Sequence, residues 1–186
     1  ISSTQLHCRF MKPRYFIQTF GCQMNVHDSE RMAGMLDSLG YEPTPEPAEA
    51  DVLLMNTCAV RERPEHKLYS ELGDLRKLKQ KNPDVVIGVA GCMAQREADG
   101  IRRRVPEVDI LLGPRNLHHL PHLLRETRRR HGEGQYASEA DGLDLECDPT
   151  PVTPVRRSSA ISDYVDVIFG CNFKCTYCAV PSARGR

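Results

Sequence analysis

Three short apolar segments that each end in a cysteine constrain the fold of this 186-residue sequence more than any other feature. RYFIQTFGC ends at Cys22, ADVLLMNTC ends at Cys58 and DVVIGVAGC ends at Cys92. Each segment is bounded by polar residues and is mostly apolar, which is typical of a strand buried on both faces of a parallel sheet. A helical pattern follows each segment. The alternation predicts the α/β fold class, with an open, parallel, Rossmann-like sheet and flanking helices.

The boundaries of the predicted elements follow from capping and breaker residues. The first helix is expected to start at a cap formed by Asp28 or Ser29 and to end at Gly40. The remaining predicted elements are a second helix that stops at Asn82-Pro83, a single third helix over 93–106, a fourth strand over 108–113 and a fourth helix over about 116–130.

The periodic pattern divides the chain into four parts. Residues 1–13 are interpreted as an extension and residues 14–130 as the α/β domain. Residues 131–160 lose periodicity and contain glycine, acidic residues and a proline-rich run, which predicts a linker. A new apolar run at Tyr164–Phe169 predicts a strand, so a second domain is expected over 161–186.

The composition excludes some classes of protein. Lys plus Arg and Asp plus Glu number 25 each, so bulk charge does not favour nucleic acid or membrane. No apolar run approaches the roughly 20 residues that span a bilayer, and the N-terminus has no signal-peptide core. We therefore expect a cytoplasmic, monomeric protein with no membrane partner. In a reducing cytosol, the eight cysteines point to metal binding or catalysis rather than disulfides.

The cysteines at the three strand ends are expected to meet at one edge of the sheet. Cys22, Cys58 and Cys92 recur once per strand–helix unit, and ligands bind beyond the carboxyl ends of parallel strands. Each also precedes a helix, whose positive end is expected to lower the thiol pKa. Three close thiolates need a cation, so a metal ion or an iron–sulfur cluster is predicted here. The alternative for any single cysteine is a small buried apolar residue.

A second cysteine group occupies one short loop. Cys171, Cys175 and Cys178 have the spacing C-x3-C-x2-C directly after the predicted strand. Thiolates favour zinc or iron–sulfur clusters, and structural zinc usually takes four ligands. A cubane cluster on three thiolates leaves one iron open to substrate.

These motifs resemble the methylthiotransferase family of radical S-adenosylmethionine enzymes. The matching segments are TFGCQMNVHDSERMAGMLDSLGY, ADVLLMNTCAVRERPEHKLYSELG, VAGCMAQRE and GCNFKCTYCAVPSARGR. GCQMN at 21–25 is similar to the branch of the family that modifies tRNA. The resemblance covers about 14–186 apart from the linker. It implies that the chain is an N-terminal fragment, truncated soon after its radical domain begins and inactive alone.

The resemblance also implies specific cofactors and partners. Cys22, Cys58 and Cys92 would hold one [4Fe-4S] cluster. Cys171, Cys175 and Cys178 would hold a second [4Fe-4S] cluster that coordinates S-adenosylmethionine, with Tyr177 as a contact to that cofactor. The reaction would insert a methylthio group at C2 of N6-isopentenyladenosine beside the tRNA anticodon by a radical mechanism. The partners would be tRNA and an electron donor such as flavodoxin or ferredoxin.

Other interpretations stay open at this point. Methylthiotransferases also act on threonylcarbamoyladenosine in tRNA or on a ribosomal protein aspartate. The chain could also belong to a non-catalytic iron–sulfur carrier or to a zinc-stabilised interaction module. Other residues of metal-ligand type are not assigned to a metal site. His118, His119 and His122 are interpreted as a solvated helix face, and Cys8 and Cys147 as free thiols in coil.

Overall fold

The computed structural model describes residues 12–59, 62–135, 140–149 and 151–186. Within these residues, six strands form a single sheet in which every neighbouring pair is parallel. The strands are β1 (Arg14–Phe20), β2 (Glu42–Pro43), β3 (Val52–Thr57), β4 (Val86–Ala90), β5 (Ile110–Leu112) and β6 (Ala140–Gly142). Their order across the sheet is β2-β1-β3-β4-β5-β6. This open parallel α/β sheet confirms the predicted fold class.

The helices cover both faces of the sheet. They are α1 (Gln23–Ser38), α2 (Glu62–Lys81), α3 (Cys92–Arg96), α4 (Ala98–Arg104), α5 (Leu120–Gly132) and α6 (Val180–Arg184), with short 3-10 turns at Pro47–Glu49 and Pro114–His119. None of the helices in the described part of the chain is long and apolar enough to cross a bilayer.

Alternation along the strands produces two separate cores. In β3, Val52 and Leu54 pack on the side of α1 and α5, whereas Leu53 and Met55 pack on the side of α2, α3 and α4. All six residues of β3 are buried, because helices cover this strand on both faces. The result is a three-layer domain whose central strands are fixed from both sides.

The helix boundaries correct three expectations. Helix α1 starts at Gln23, with Cys22 as its N-cap residue, so Asp28 and Ser29 lie inside the helix and do not cap it. The predicted third helix is two helices that meet at Glu97. The predicted fourth helix is a 3-10 turn that continues into α5. The predicted ends of α1 near Gly40 and of α2 at Lys81 are confirmed, and Gly40 has a positive φ of 85°.

The segment predicted as a strand at Tyr164–Phe169 is not a strand in the structure. No other described segment pairs with it, and Val165, Val167 and Ile168 are 81%, 86% and 74% exposed. An apolar run with β-branched residues forms a strand only when a neighbour satisfies its backbone hydrogen bonds, so local preference alone was insufficient here.

Part of the predicted linker packs against the domain. Strand β6 lies within 131–160, and residues 153–158 run along α1. The Arg156 amide donates to the Glu30 carbonyl at 2.9 Å, and the Ser158 amide donates to the Glu30 carboxylate at 2.8 Å. At Gly34 an added Cβ would lie 2.4 Å from the Pro154 carbonyl oxygen, so the close approach of this segment requires glycine. The chain therefore packs against α1 of the α/β domain just before residue 161.

Candidate metal centre

The order in which successive strands are added across the sheet changes direction between β1 and β3. Strand β2 lies on one side of β1, and all later strands lie on the other side. In open parallel sheets, such a switch point leaves a crevice beyond the carboxyl ends of the strands, where ligands bind. Cys22 follows β1 and Cys58 follows β3, so both lie at this crevice. Cys92 follows β4, the next strand across the sheet.

Each of the three cysteines is placed by an element of the fold. Cys22 is exposed at the N-cap of α1. The Cys58 amide donates to the Phe20 carbonyl at 2.9 Å, which continues the pairing of β1 with β3 past the last strand residue. Cys92 is the first residue of α3. Cys58 and Cys92 are buried, with exposures of 5% and 6%, so these two cysteines are shielded from solvent, whereas Cys22 is accessible.

The three cysteines line one cavity of about 270 Å³. The structure thus brings together the cysteines that sequence spacing assigned to one site. The cavity is mainly apolar, and its lining has one basic and no acidic residue among the described positions. The lining residues are Cys22, Met24, Asn25, Cys58, Cys92, Ile168, Gly170, Ala179, Val180, Ala183 and Arg184. Three thiols in a mainly apolar pocket with one cation match the donor set of a metal or iron–sulfur group.

Two asparagines support the cysteine loops, and one of them, Asn56, was not indicated by the sequence pattern. Asn25 and Asn56 are fully buried. The Asn25 carboxamide accepts from the Cys22 amide at 3.3 Å, and its Nδ2 donates to Asn56 Oδ1 at 3.1 Å. Asn56 Nδ2 returns a bond to the Asn25 carbonyl at 2.8 Å. This reciprocal pair joins the loop after β1 to the end of β3, and it fixes the separation of Cys22 and Cys58.

Glycine before the third cysteine lets the chain approach this pair. Gly91 has φ of 93°, and an added Cβ would lie 2.4 Å from Asn56 Oδ1 and 2.6 Å from the Thr57 carbonyl oxygen. Only glycine fits both the backbone conformation and the space. The sequence signal for this position was the repeated Gly-Cys at the ends of β1 and β4.

The C-terminal segment forms one wall of the cavity, and a buried ion pair holds it against α1. Arg184 in α6 donates from Nη2 to Asp28 Oδ2 of α1 at 2.7 Å, and the two side chains are 9% and 0% exposed. Helix α6 packs against α3, which begins at Cys92. The ion pair therefore joins α6 to α1, between residues 156 positions apart in sequence, beside the three-cysteine cavity.

The expected lowering of thiol pKa by a helix start is wrong at Cys92. Burial raises the pKa of the Cys92 thiol, against an opposing effect of the Arg184 guanidinium. Helix α3 has only five residues, so its end is a weak source of positive potential compared with the loss of water around the sulfur.

The second cysteine group lies in a loop that is closed at its base. The Cys171 amide donates to the Gly185 carbonyl at 3.1 Å, and Gly170 and Gly185 both have φ of 74°. Within the loop, the Cys178 amide donates to the Cys175 carbonyl at 3.0 Å. Cys171 and Cys178 are partly buried, whereas Cys175 is exposed.

The two cysteine groups are neighbours in space. Gly170 and Ala179, which flank the second group, line the cavity of the first. Tyr177, expected to contact S-adenosylmethionine, is 91% exposed beside its neighbour Cys178. Its role as a cofactor contact, and metal ligation by either group, stay predictions.

Fold and site together define a parallel α/β domain with a three-cysteine pocket at the carboxyl edge of its sheet. The model of the uncharacterized protein family UPF0004 matches residues 14–113, which is more than half of the chain and includes Cys22, Cys58 and Cys92. The chain belongs to this family.

Curated relatives extend the similarity past the family model. The chain is 48% identical over 173 residues to the tRNA-2-methylthio-N(6)-dimethylallyladenosine synthase of Sulfurihydrogenibium sp. (strain YO3AOP1), covering 93% of this chain and 39% of that protein. It is 44% identical over 174 residues to the enzyme of the same name from Carboxydothermus hydrogenoformans, covering 92% and 38%. The corresponding values for the Parafrankia sp. protein are 48% over 171 residues, 92% and 34%. The resemblance to methylthiotransferases is confirmed, and the chain spans less than two fifths of each relative's length.

Proposed function

We propose that this chain is the cluster-bearing N-terminal part of a tRNA methylthiotransferase. The activity would insert a methylthio group at C2 of N6-isopentenyladenosine beside the anticodon. The observation that supports this most directly is that Cys22, Cys58 and Cys92 line a single, mainly apolar cavity at the carboxyl edge of the sheet. The names of the similar proteins, which span more than this chain, support the substrate and the reaction.

In this proposal the residues of the chain hold two iron–sulfur groups. Cys22, Cys58 and Cys92 would bind one [4Fe-4S] cluster, and Cys171, Cys175 and Cys178 would bind the other. When bound, the clusters would supply reductive cleavage of S-adenosylmethionine and the sulfur to be inserted. Three protein ligands per cluster leave one iron of each open. S-adenosylmethionine would be held at the second group beside Tyr177.

The surrounding residues would position and protect the first group. The Asn25–Asn56 pair holds the Cys22 and Cys58 loops at a fixed separation. Arg184 supplies positive charge beside Cys92, which would offset the negative charge of three thiolates. Burial of Cys58 and Cys92 keeps water from two of the three sulfur ligands.

The proposed domain organisation is the one that the sequence pattern predicts. Residues 14–130 would form the methylthiotransferase α/β domain, 131–160 the linker and 161–186 the start of the radical S-adenosylmethionine domain. Because the flanks of the second cysteine loop line the first cavity, the two groups would face a common space. The isopentenylated adenosine of tRNA would enter that space, and flavodoxin or ferredoxin would deliver electrons.

The test is the nucleoside content of tRNA in a bacterial strain that lacks its own methylthiotransferase. The complete gene product is expressed there, and 2-methylthio-N6-isopentenyladenosine is measured by mass spectrometry. We expect the modified nucleoside to appear with the wild-type protein and with the exposed His122→Ala control. We expect Cys58→Ala to abolish it. Accumulation of unmodified N6-isopentenyladenosine with every variant would refute the proposed activity and favour a non-catalytic cluster carrier. A methylthio group on threonylcarbamoyladenosine would refute the proposed substrate.

A further inference from the structure

A cysteine and two histidines outside the candidate metal centre come together where the linker returns to the domain. Cys147 Sγ lies 3.7 Å from His118 Nε2 and 3.5 Å from His119 Nε2. All three ligand atoms lie within 4.8 Å of one another. Cys147 is a free thiol, as expected, and His119 and His122 are exposed, as expected for a solvated face, whereas His118 is partly buried. What the interpretation missed is that Cys147 lies beside His118 and His119. Cys8 lies outside the described residues. Sequence pattern alone does not indicate this contact, because the linker must fold back over 28 residues to make it.

We propose that Cys147, His118 and His119 form a zinc site, with water as the fourth ligand. The observed distances between sulfur and nitrogen agree with zinc coordination. A tetrahedral zinc ion with Zn–S of about 2.3 Å and Zn–N of about 2.05 Å places sulfur and nitrogen about 3.6 Å apart. The two observed separations, 3.7 and 3.5 Å, bracket this value. The two sulfur–nitrogen separations thus match those of zinc ligands, and the two histidine nitrogens lie within 4.8 Å of each other.

Two hydrogen bonds hold the cysteine segment against the histidines. Arg115 Nε donates to the Cys147 carbonyl at 2.9 Å, and Asn116 Nδ2 donates to the Asp144 carbonyl at 2.9 Å. Both donors lie on the same 3-10 turn as the histidines. The site is therefore preformed by contacts that do not involve the metal.

Both histidine rings present Nε2 as the nitrogen that would bind the metal. The His118 and His119 rings are adjacent, with centroids 4.1 Å apart, and both direct Nε2 toward Cys147. His118 Nδ1 is buried and has no hydrogen-bond partner among the described residues, so Nε2 is its interacting nitrogen. His119 is exposed, which leaves room for a water ligand on that side.

Zinc binding would attach the linker to the domain. The ion replaces the Cys147 thiol proton, which passes to solvent, and takes a lone pair from each imidazole. Arg115, next to these ligands, also donates to the Arg184 carbonyl at 3.2 Å. The site would therefore stabilise the path of the chain between β6 and the segment that forms one wall of the three-cysteine cavity. This inference does not depend on the proposed enzymatic function.

The test uses zinc chloride alone and reads each cysteine separately, because the cluster cysteines also bind zinc. The intact chain is titrated anaerobically with up to about three equivalents of zinc, enough for all three sites. It is then pulsed with an alkylating reagent, and mass spectrometry gives the alkylation rate of every cysteine. We expect zinc to slow alkylation of Cys147 at least about tenfold, because a coordinated thiolate is a poor nucleophile toward other reagents.

Matched histidine variants decide whether the protection arises at this site. His119→Ala and His122→Ala both replace exposed histidines, and only His119 contacts Cys147. We expect the protection of Cys147 to be lost in His119→Ala and unchanged in His122→Ala. Equal protection in both variants, or no protection of Cys147 in the wild-type chain at three equivalents, would overturn the zinc site.

Discussion

Replacing Arg184 by methionine should destabilise the chain far more than replacing an exposed arginine. The substitution leaves the fully buried Asp28 carboxylate without its counter-ion. Breaking a buried ion pair by removing one partner costs about 3–5 kcal/mol. Only one hydrogen bond links the two groups, and Asp28 Oδ1 has no partner in the described residues, so we expect a value near the lower end, about 3 kcal/mol.

The matched control is the Arg157–Asp163 pair, whose side chains are 67% and 34% exposed. Arg157→Met should cost less than about 1 kcal/mol, because water screens an exposed pair. A double variant, Asp28→Asn with Arg184→Met, should recover part of the loss, since no charge is then left buried.

Urea unfolding followed by circular dichroism gives the free energies, and hydrogen exchange of Val180–Arg184 reports whether α6 stays docked. We expect Arg184→Met to lower the free energy of unfolding and to speed exchange in α6. A loss for Arg184→Met no larger than that for Arg157→Met would refute the conclusion that this buried pair stabilises the docking of α6.

Two further predictions concern packing and pH. Gly34→Ala should destabilise the chain by about 1–3 kcal/mol, because the new Cβ meets the backbone at 154–155. Gly73→Ala, in the middle of α2 with no atom near the new Cβ, should stabilise the chain by about 1 kcal/mol. Urea unfolding of both variants checks this, and a change in the free energy of unfolding with the same sign in both would contradict it. Burial and a hydrogen bond to Asp37 raise the pKa of Tyr15 to about 12. The folded state therefore favours the protonated phenol of Tyr15. This contribution to the free energy of unfolding is fully present below about pH 10 and is lost as pH rises through 12, by about 3 kcal/mol in all. Tyr15→Phe should flatten this alkaline loss in unfolding experiments between pH 9 and pH 12, and parallel curves for the two proteins would contradict the assignment.

The long buried strands could be predicted from sequence because burial on both faces leaves an unmistakable apolar run. Val52–Thr57 and Val86–Ala90 are fully buried in the structure. The two-residue β2 and the three-residue β6 have no such pattern, so the position of the switch point could not be predicted. The run at 164–169 shows the opposite error, because strand preference without a pairing partner did not produce a strand.

Polar contacts between distant segments account for what the sequence could not show at the site. Asp28 has the residue type of a helix cap, yet it is buried in α1 to pair with Arg184. Asn56 is one of two polar residues at the end of an otherwise apolar strand, and nothing local indicates its bonds to Asn25. The spacing of the cysteines was sufficient to predict one shared edge, because strand–helix units of similar length return the chain to the same end of a parallel sheet.

The most direct test of the two-cluster proposal is the iron and acid-labile sulfide content after anaerobic reconstitution. The wild-type chain is compared with a variant in which Cys22, Cys58 and Cys92 are all serine. We predict about eight iron and eight sulfide per wild-type chain and about four of each in the variant, since a cubane contains four of each. Loss of all the iron, or no loss, in the variant would contradict the assignment of the six cysteines to two separate sites.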